Sequence, residues 1–439
     1  MRKLGIIALE NENEPAPAEG VVEDAANSAE TALLEVNEEV AEGDTSEAAV
    51  DEAVEAVSSL ENYATALEAS LGEGGISRAG ASLMNIGLEH IYGRLGYEAG
   101  TTGTVSLENF GQNSSREGAT QIALEGVKEK IKEIWAAIIA HIKKAIEWIK
   151  GHFNKIFGAA EKLLKRAQAL SAVQKPNGQP KEKTFDNERI VAALHIGGNI
   201  PASVSAELAK IAVISDKVFT QIADFNGKAA DKLLEEMGKT DGDVAAITAL
   251  PFAGGAVPEV ANPEAIGFSK PHDGLSLFRS PAMLGNKAII VEAPKAAVSG
   301  AAAVVAASKT SVALGAFDPK AKAPSATTVK VVDTGEIGKI ADEVVKICQE
   351  VIKYKAKLGK FGDLKSKIVS AAEKAGKDAN TEEDKGKAAY HSAMQKIATA
   401  TVNNLDRCPA AMSAYALNTS KNALDLAEQS LKQYSDAAK

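Results

Sequence analysis

From Val127 onward, apolar residues recur at positions 127, 131, 134, 135, 138, 142, 145, 146 and 149, in steps of three and four. That spacing winds them onto one side of an α-helix, so the stretch must find an apolar surface to cover it. Lys128, Lys132, Lys143 and Lys150 fall away from the centre of the stripe. The pattern predicts a second helix from about Phe153 to Ala172 through Ile156, Phe157, Leu163 and Leu164, with Gly151 as the joint. A run of turn residues from Lys175 to Lys181 closes this basic amphipathic hairpin, assigned to 126–173.

The remaining periodicity is also mostly helical. A helical layer is predicted over 187–250, with segments at about 187–194, 201–224, 228–238 and 243–250. Residues 251–335 break the habit with Pro251, Gly254, Gly255, Pro258, Pro263, Pro271 and Pro281, and hold two β-like runs, Lys287 to Glu292 and Thr328 to Asp333. Helices return at roughly 336–358, 362–376, 382–405 and 409–436, with Thr381 and the Cys408-Pro409 pair as starts, giving a carboxy-terminal bundle over 336–439. The expected fold class is mainly α: a helical bundle with a small β insertion at about 251–335.

Charge divides the chain at one point. The formal net charge of −10 conceals a segment, 1–125, with 24 acids and 5 bases, a net of −19. The other 314 residues hold 35 acids and 44 bases, a net of +9. From Asn11 to about Leu60 the sequence is rich in Glu and Ala and nearly without aromatics, so helix propensity is high and core material scarce. Between Glu61 and Glu125 more apolar positions mix with many glycines. Residues 1–125 are therefore expected to be largely disordered or loosely helical, tethered to the body rather than buried in it.

Several function classes find no support. Cys348 and Cys408 cannot supply a disulfide framework or a four-ligand zinc site, and they point to a reducing compartment. Cys348 lies on an apolar helical face with Val344, Val345, Ile347 and Val351, which reads as a buried structural thiol. Six histidines, at 90, 141, 152, 195, 272 and 391, show no metal-ligand spacing. Gly197-Gly198 and Gly254-Gly255 lie outside any phosphate-binding frame, and no Gly-x-Ser-x-Gly elbow occurs. No catalytic residue, cofactor or metal is expected. The apolar run after Met1 is too short for a signal peptide, and the Ala-rich stretch 296–317 is too weakly apolar for a stable membrane span.

One short motif repeats within the acidic segment. Ala8-Leu9-Glu10, Ser59-Leu60-Glu61, Ala66-Leu67-Glu68, Gly87-Leu88-Glu89, Ser106-Leu107-Glu108 and Ala123-Leu124-Glu125 all read small-Leu-Glu, and the last falls where the charge changes sign. Ala, Leu and Glu are common in acidic helical sequence, so part of this repetition is also what amphipathic helices produce. An acidic amino-terminal segment ending in small-x-Glu, followed by a Lys/Ile/Trp/Phe amphipathic helix from Val127 to Leu164, resembles the internal head proteins of giant tailed phages of the phiKZ type. In that group a prohead protease cuts after Glu in such sites, and inner-body and ejected head proteins lose long propeptides. The resemblance implies a non-enzymatic virion protein inside the capsid, made as a precursor in the host cytoplasm, cut mainly after Glu125 within Ala123-Leu124-Glu125, with Glu10, Glu61, Glu68, Glu89 and Glu108 as further sites.

It also implies three partners: the prohead protease, other capsid-core proteins and packaged DNA. Removing a net −19 would leave a basic body able to neutralise phosphates without sequence preference. Lys143, Lys144, Lys162, Lys165, Arg166, Lys353, Lys357 and Lys360 are the candidate nucleic-acid contacts, together with a further pair at Lys365 and Lys367; each cluster taken singly is also what a solvated helix face looks like. Trp135 and Trp148 beside lysines leave open whether the 127–150 helix packs in the bundle or lies on a membrane surface. Two rival readings stand beside this one: a phage-delivered effector that binds a host protein, and an enzyme within 187–335.

Overall fold

The computed structural model describes residues 49–96, 115–173, 178–239, 242–252, 257–321, 324–381 and 385–434. The sites at Glu10 and Glu108 lie outside them. The acidic segment contributes two helices, α1 (residues 49–72) and α2 (Arg78–Arg94), which lead to α3 (Arg116–Ala172). Serine side chains set both later starts: Ser77 accepts from the Gly80 N–H and Ser115 from the Gly118 N–H, satisfying donors that a helix terminus leaves unpaired. Gly75, at φ +90°, closes the α1–α2 turn so tightly against Arg116 that a Cβ there would lie 2.5 Å from its backbone. Arg116 and Thr120 complete the joint by bonding the Gly75 and Ile76 backbone.

These first helices are not merely tethered. Val57, Leu60, Leu67 and Leu88 are fully buried and belong to one hydrophobic core with Val127, Ile134 and Ile138 of α3. Among the described glycines, Gly74, Gly75 and Gly96 stand in turns while Gly93 is carried inside α2, and the apolar residues between them keep helical spacing. A second difference lies in α3, which is a single 57-residue helix passing through Gly151. Glycine in a helix interior costs about 1 kcal/mol, less than the burial of Phe153, Ile156 and Phe157 just beyond it returns. Trp135 is buried with Ile134, Ile138 and Ile139, so this part of the stripe packs inward on the bundle.

α4 (Glu188–Leu194) and α5 (Val204–Lys217) follow; α5 continues through a π turn at Val218–Ile222 into α6 (Ala223–Met237). Among the described residues the β material is small and its strand pairs are antiparallel. β3 (Ser276–Arg279), β4 (Lys287–Ala293) and β6 (Ser311–Ala316) form one sheet in the order β3-β4-β6. β2 (Thr248–Ala249) pairs with β5 (Val298–Ser299), and β1 (Thr184–Asp186) with β7 (Thr328–Lys330), so one strand partner precedes the helical layer. α7 (Ala301–Lys309) and β6 occupy the Ala-rich stretch. Phe225, Phe252 and Phe278 pack edge to face and join α6 to the sheet.

Two 48-residue helices complete the chain: α8 (Thr334–Thr381) and α9 (Lys385–Lys432). They replace the four shorter helices expected. The break expected at Pro409 does not occur; Pro409 sits inside α9, and Ser413 donates to its carbonyl. Proline in a helix interior costs about 3 kcal/mol, but α9 is the central helix, touching α3 to α8 and β6, and that packing keeps the helix continuous through Pro409. α8 runs antiparallel to α9, as the Gln395–Ala372 and Lys365–Asp406 contacts fix, and to α3, as Lys143–Glu373 and Ser171–Asp342 fix.

Candidate processing site and nucleic-acid interface

The four described triplets share one geometry. Each lies within a helix, and its leucine points into the core: Leu60, Leu67 and Leu88 are 0% exposed and Leu124 is 5% exposed. Small-Leu-Glu is here the local code of an amphipathic helix, with Leu inward and Glu toward the surface, while the small residue ranges from buried Ala123 to exposed Ala66. Glu61 accepts from Ser392 and Lys396, Glu68 pairs with Lys128 at 2.8 Å, and Glu125 accepts from Gln121 at 3.0 Å. Glu89 is exposed. Cutting after Glu125 requires unwinding the first turns of α3, since a protease acts on opened, extended backbone.

The candidate DNA-contacting residues separate into two kinds. Lys144, Lys162, Lys165, Lys353 and Lys360 are exposed. Lys143 pairs with Glu373 at the rim of an open groove of about 390 Å³ between α3 and α8, Lys353 pairs with Glu350, and Lys357 donates to the Phe219 carbonyl. Arg166 departs from the expectation. Its side chain is 2% exposed and forks onto Glu428 and Asp425 at 2.7–2.8 Å, so the guanidinium is spent inside the bundle and cannot reach a phosphate. Burial works against its charge, yet the two carboxylates outweigh it and hold its pKa above the ordinary value. Lys365 is likewise buried, against Asp406 of α9, whose carboxyl is pushed up by burial and pulled back by that ammonium.

Sequence reasoning missed the ionic layer that ties the acidic segment to the body. Besides Lys128–Glu68 and Lys396–Glu61, Lys309 pairs with Glu55 at 3.3 Å. Burial raises the pKa of Asp51, opposed by the nearby charges of Arg407 and Lys309. The only signal in the sequence was the net charge of opposite sign on either side of Glu125, which cannot say which residues meet.

The thiols of Cys348 and Cys408 are buried, and burial pushes both up to about 12, far from nucleophilic use. Among the described residues no group of three or more His, Cys, Asp or Glu could hold a metal ion, and no helix is long and apolar enough to cross a membrane. No curated protein and no solved structure matches the chain. The family model of phiKZ-like phage internal head proteins matches residues 31–429. The match takes in both most of the acidic segment and nearly all of the body, and on it the chain belongs to the phiKZ-like phage internal head proteins, which reside in the capsid interior.

Proposed function

We propose that this internal head protein is a non-enzymatic precursor, packaged in the prohead, cut by the phage protease after Glu125, and kept with the DNA or ejected with it. One observation carries the reading. The small-Leu-Glu triplet at 123–125 stands at the boundary between a net of −19 and a net of +9, so a single cut reverses the charge of what remains. Before the cut, the acidic segment repels phosphate and occupies basic side chains of the body; afterwards the body binds duplex DNA without sequence preference, and does so less tightly as salt rises.

Glu125 sits ten residues inside α3, between Gly118 and Gly126, each of which weakens the helix by about 1 kcal/mol relative to Ala. Cleavage then takes place before α1 and α2 dock, or after they lift from α3. The exposed Lys144, Lys162, Lys165, Lys353 and Lys360 are the remaining α3 and α8 contacts for phosphate. A pulse-chase of infected cells tests the maturation step. The full-length chain should give way to a shorter one when the prohead protease is active and persist when it is inactive; persistence in both cases would remove the precursor reading.

A further inference from the structure

Most of the candidate lysines on α3 and α8 with a carboxylate partner, such as Lys143 with Glu373 and Lys353 with Glu350, keep that partner after a cut at Glu125. Lys309 and Lys396 do not. Their partners, Glu55 and Glu61, belong to α1 and leave with it, as does Asp51, whose carboxyl lies within electrostatic range of Arg407 and Lys309. Lys396 and Arg407 are eleven residues apart on α9, three helical turns, so they share one face about 16 Å long. Lys309 is fixed over the same helix, because Asn404 of α9 donates to the carbonyl of Thr310 and accepts from the Val312 N–H. The carboxylates of α1 thus lie along a preformed row of positive groups, in the positions that anionic oxygens of another ligand could take.

We propose that this face of α7 and α9, carrying Lys309, Lys396 and Arg407, is the surface on which the body holds the phosphate backbone of duplex DNA once α1 has gone. The inference rests on cleavage after Glu125 and specifies which surface that cleavage opens. The three groups span several phosphate charges of B-DNA, which carries about one per 1.7 Å of axis, and they contact backbone rather than bases, consistent with binding of any sequence.

Two measurements test it. DNA–protein cross-links from purified particles, mapped by mass spectrometry, should fall on Lys309 or Lys396 with residues 1–125 absent. Cross-links confined to Lys144, Lys165 or Lys360, with 1–125 absent, would overturn this surface and leave the cleavage reading intact; residues 1–125 present in the particles would overturn the cleavage reading itself. In the chain recovered from particles with residues 1–125 absent, Lys309→Gln with Lys396→Gln removes two ammonium groups from this face. Its binding to a short duplex of arbitrary sequence should show a salt dependence shallower by about 2 in log–log slope than the cleaved wild type, roughly a tenfold smaller loss between about 50 and 200 mM salt. The charge-matched pair Lys144→Gln with Lys360→Gln should change the slope less; an unchanged slope for Lys309→Gln with Lys396→Gln would overturn the proposal.

Discussion

Arg166 and Lys144 look alike in sequence, two bases on one amphipathic helix, and the structure gives them opposite fates. Arg166 is the fork that holds α3 to Asp425 and Glu428 of α9, while Lys144 faces water. Arg166→Leu should therefore cost about 3 kcal/mol in a denaturant titration, because two carboxylates lose their counter-charge, whereas Lys144→Ala should stay within about 0.5 kcal/mol. Glu236 supplies a pH test. Burial opposes its charge, but Lys232 and Lys239 outweigh burial and hold its carboxyl below the ordinary 4.5. A lowered folded pKa stabilises above the unfolded value and is lost as pH falls through the folded one. The stability gap between the wild type and Glu236→Gln should thus be full at about pH 6 and shrink below about pH 4.5; a gap that widens on acidification would contradict the assignment. At this scale the sequence shows residue type but not burial, which is why Arg166 and Lys365 read as surface bases.

At the level of elements, the apolar period identifies α3 correctly because burial of a stripe is a local property, and it marks β4 and β7 by their β-branched runs. It misplaces helix ends. Gly151 and Pro409 are intrinsic breakers, and only the packing around them, a tertiary property, decides that α3 and α9 continue. Gly151 has no neighbour within 4 Å of a would-be Cβ, so Gly151→Ala should raise stability by up to about 1 kcal/mol in thermal or chemical unfolding. Gly376→Ala should lower it, since a Cβ there would meet the Gln395 amide. On the proposed cleavage, docking of α1 on α3 would slow the opening of the helix around Glu125. Leu60→Ala removes a fully buried side chain at a cost of about 2–5 kcal/mol, and a Glu-specific protease should cut the full-length variant after Glu125 at least about tenfold faster than the wild type. An unchanged rate would mean that α1 does not guard the site.

For the whole molecule, the charge division was fully legible in the sequence, and the way it is used was not. The acidic segment was expected to hang beside the body; instead α1 and α2 share its core and place Glu55, Glu61 and Glu68 on Lys309, Lys396 and Lys128. Net charge reports sign without position, so the pairing could not be read in advance. The same docking makes the leucine of each described triplet a core residue, and on the proposed cleavage the triplet at 123–125 would be read only when its helix opens. The family match places the protein inside the head, and on the proposed cleavage it enters in one charge state and persists in another. Peptide mapping of the protein from purified particles tests that claim most directly. The account predicts a semi-specific peptide beginning at Gly126 and no peptides from residues 1–125, whereas recovery of peptides spanning the Glu125–Gly126 bond in the amounts of the rest of the chain would contradict it.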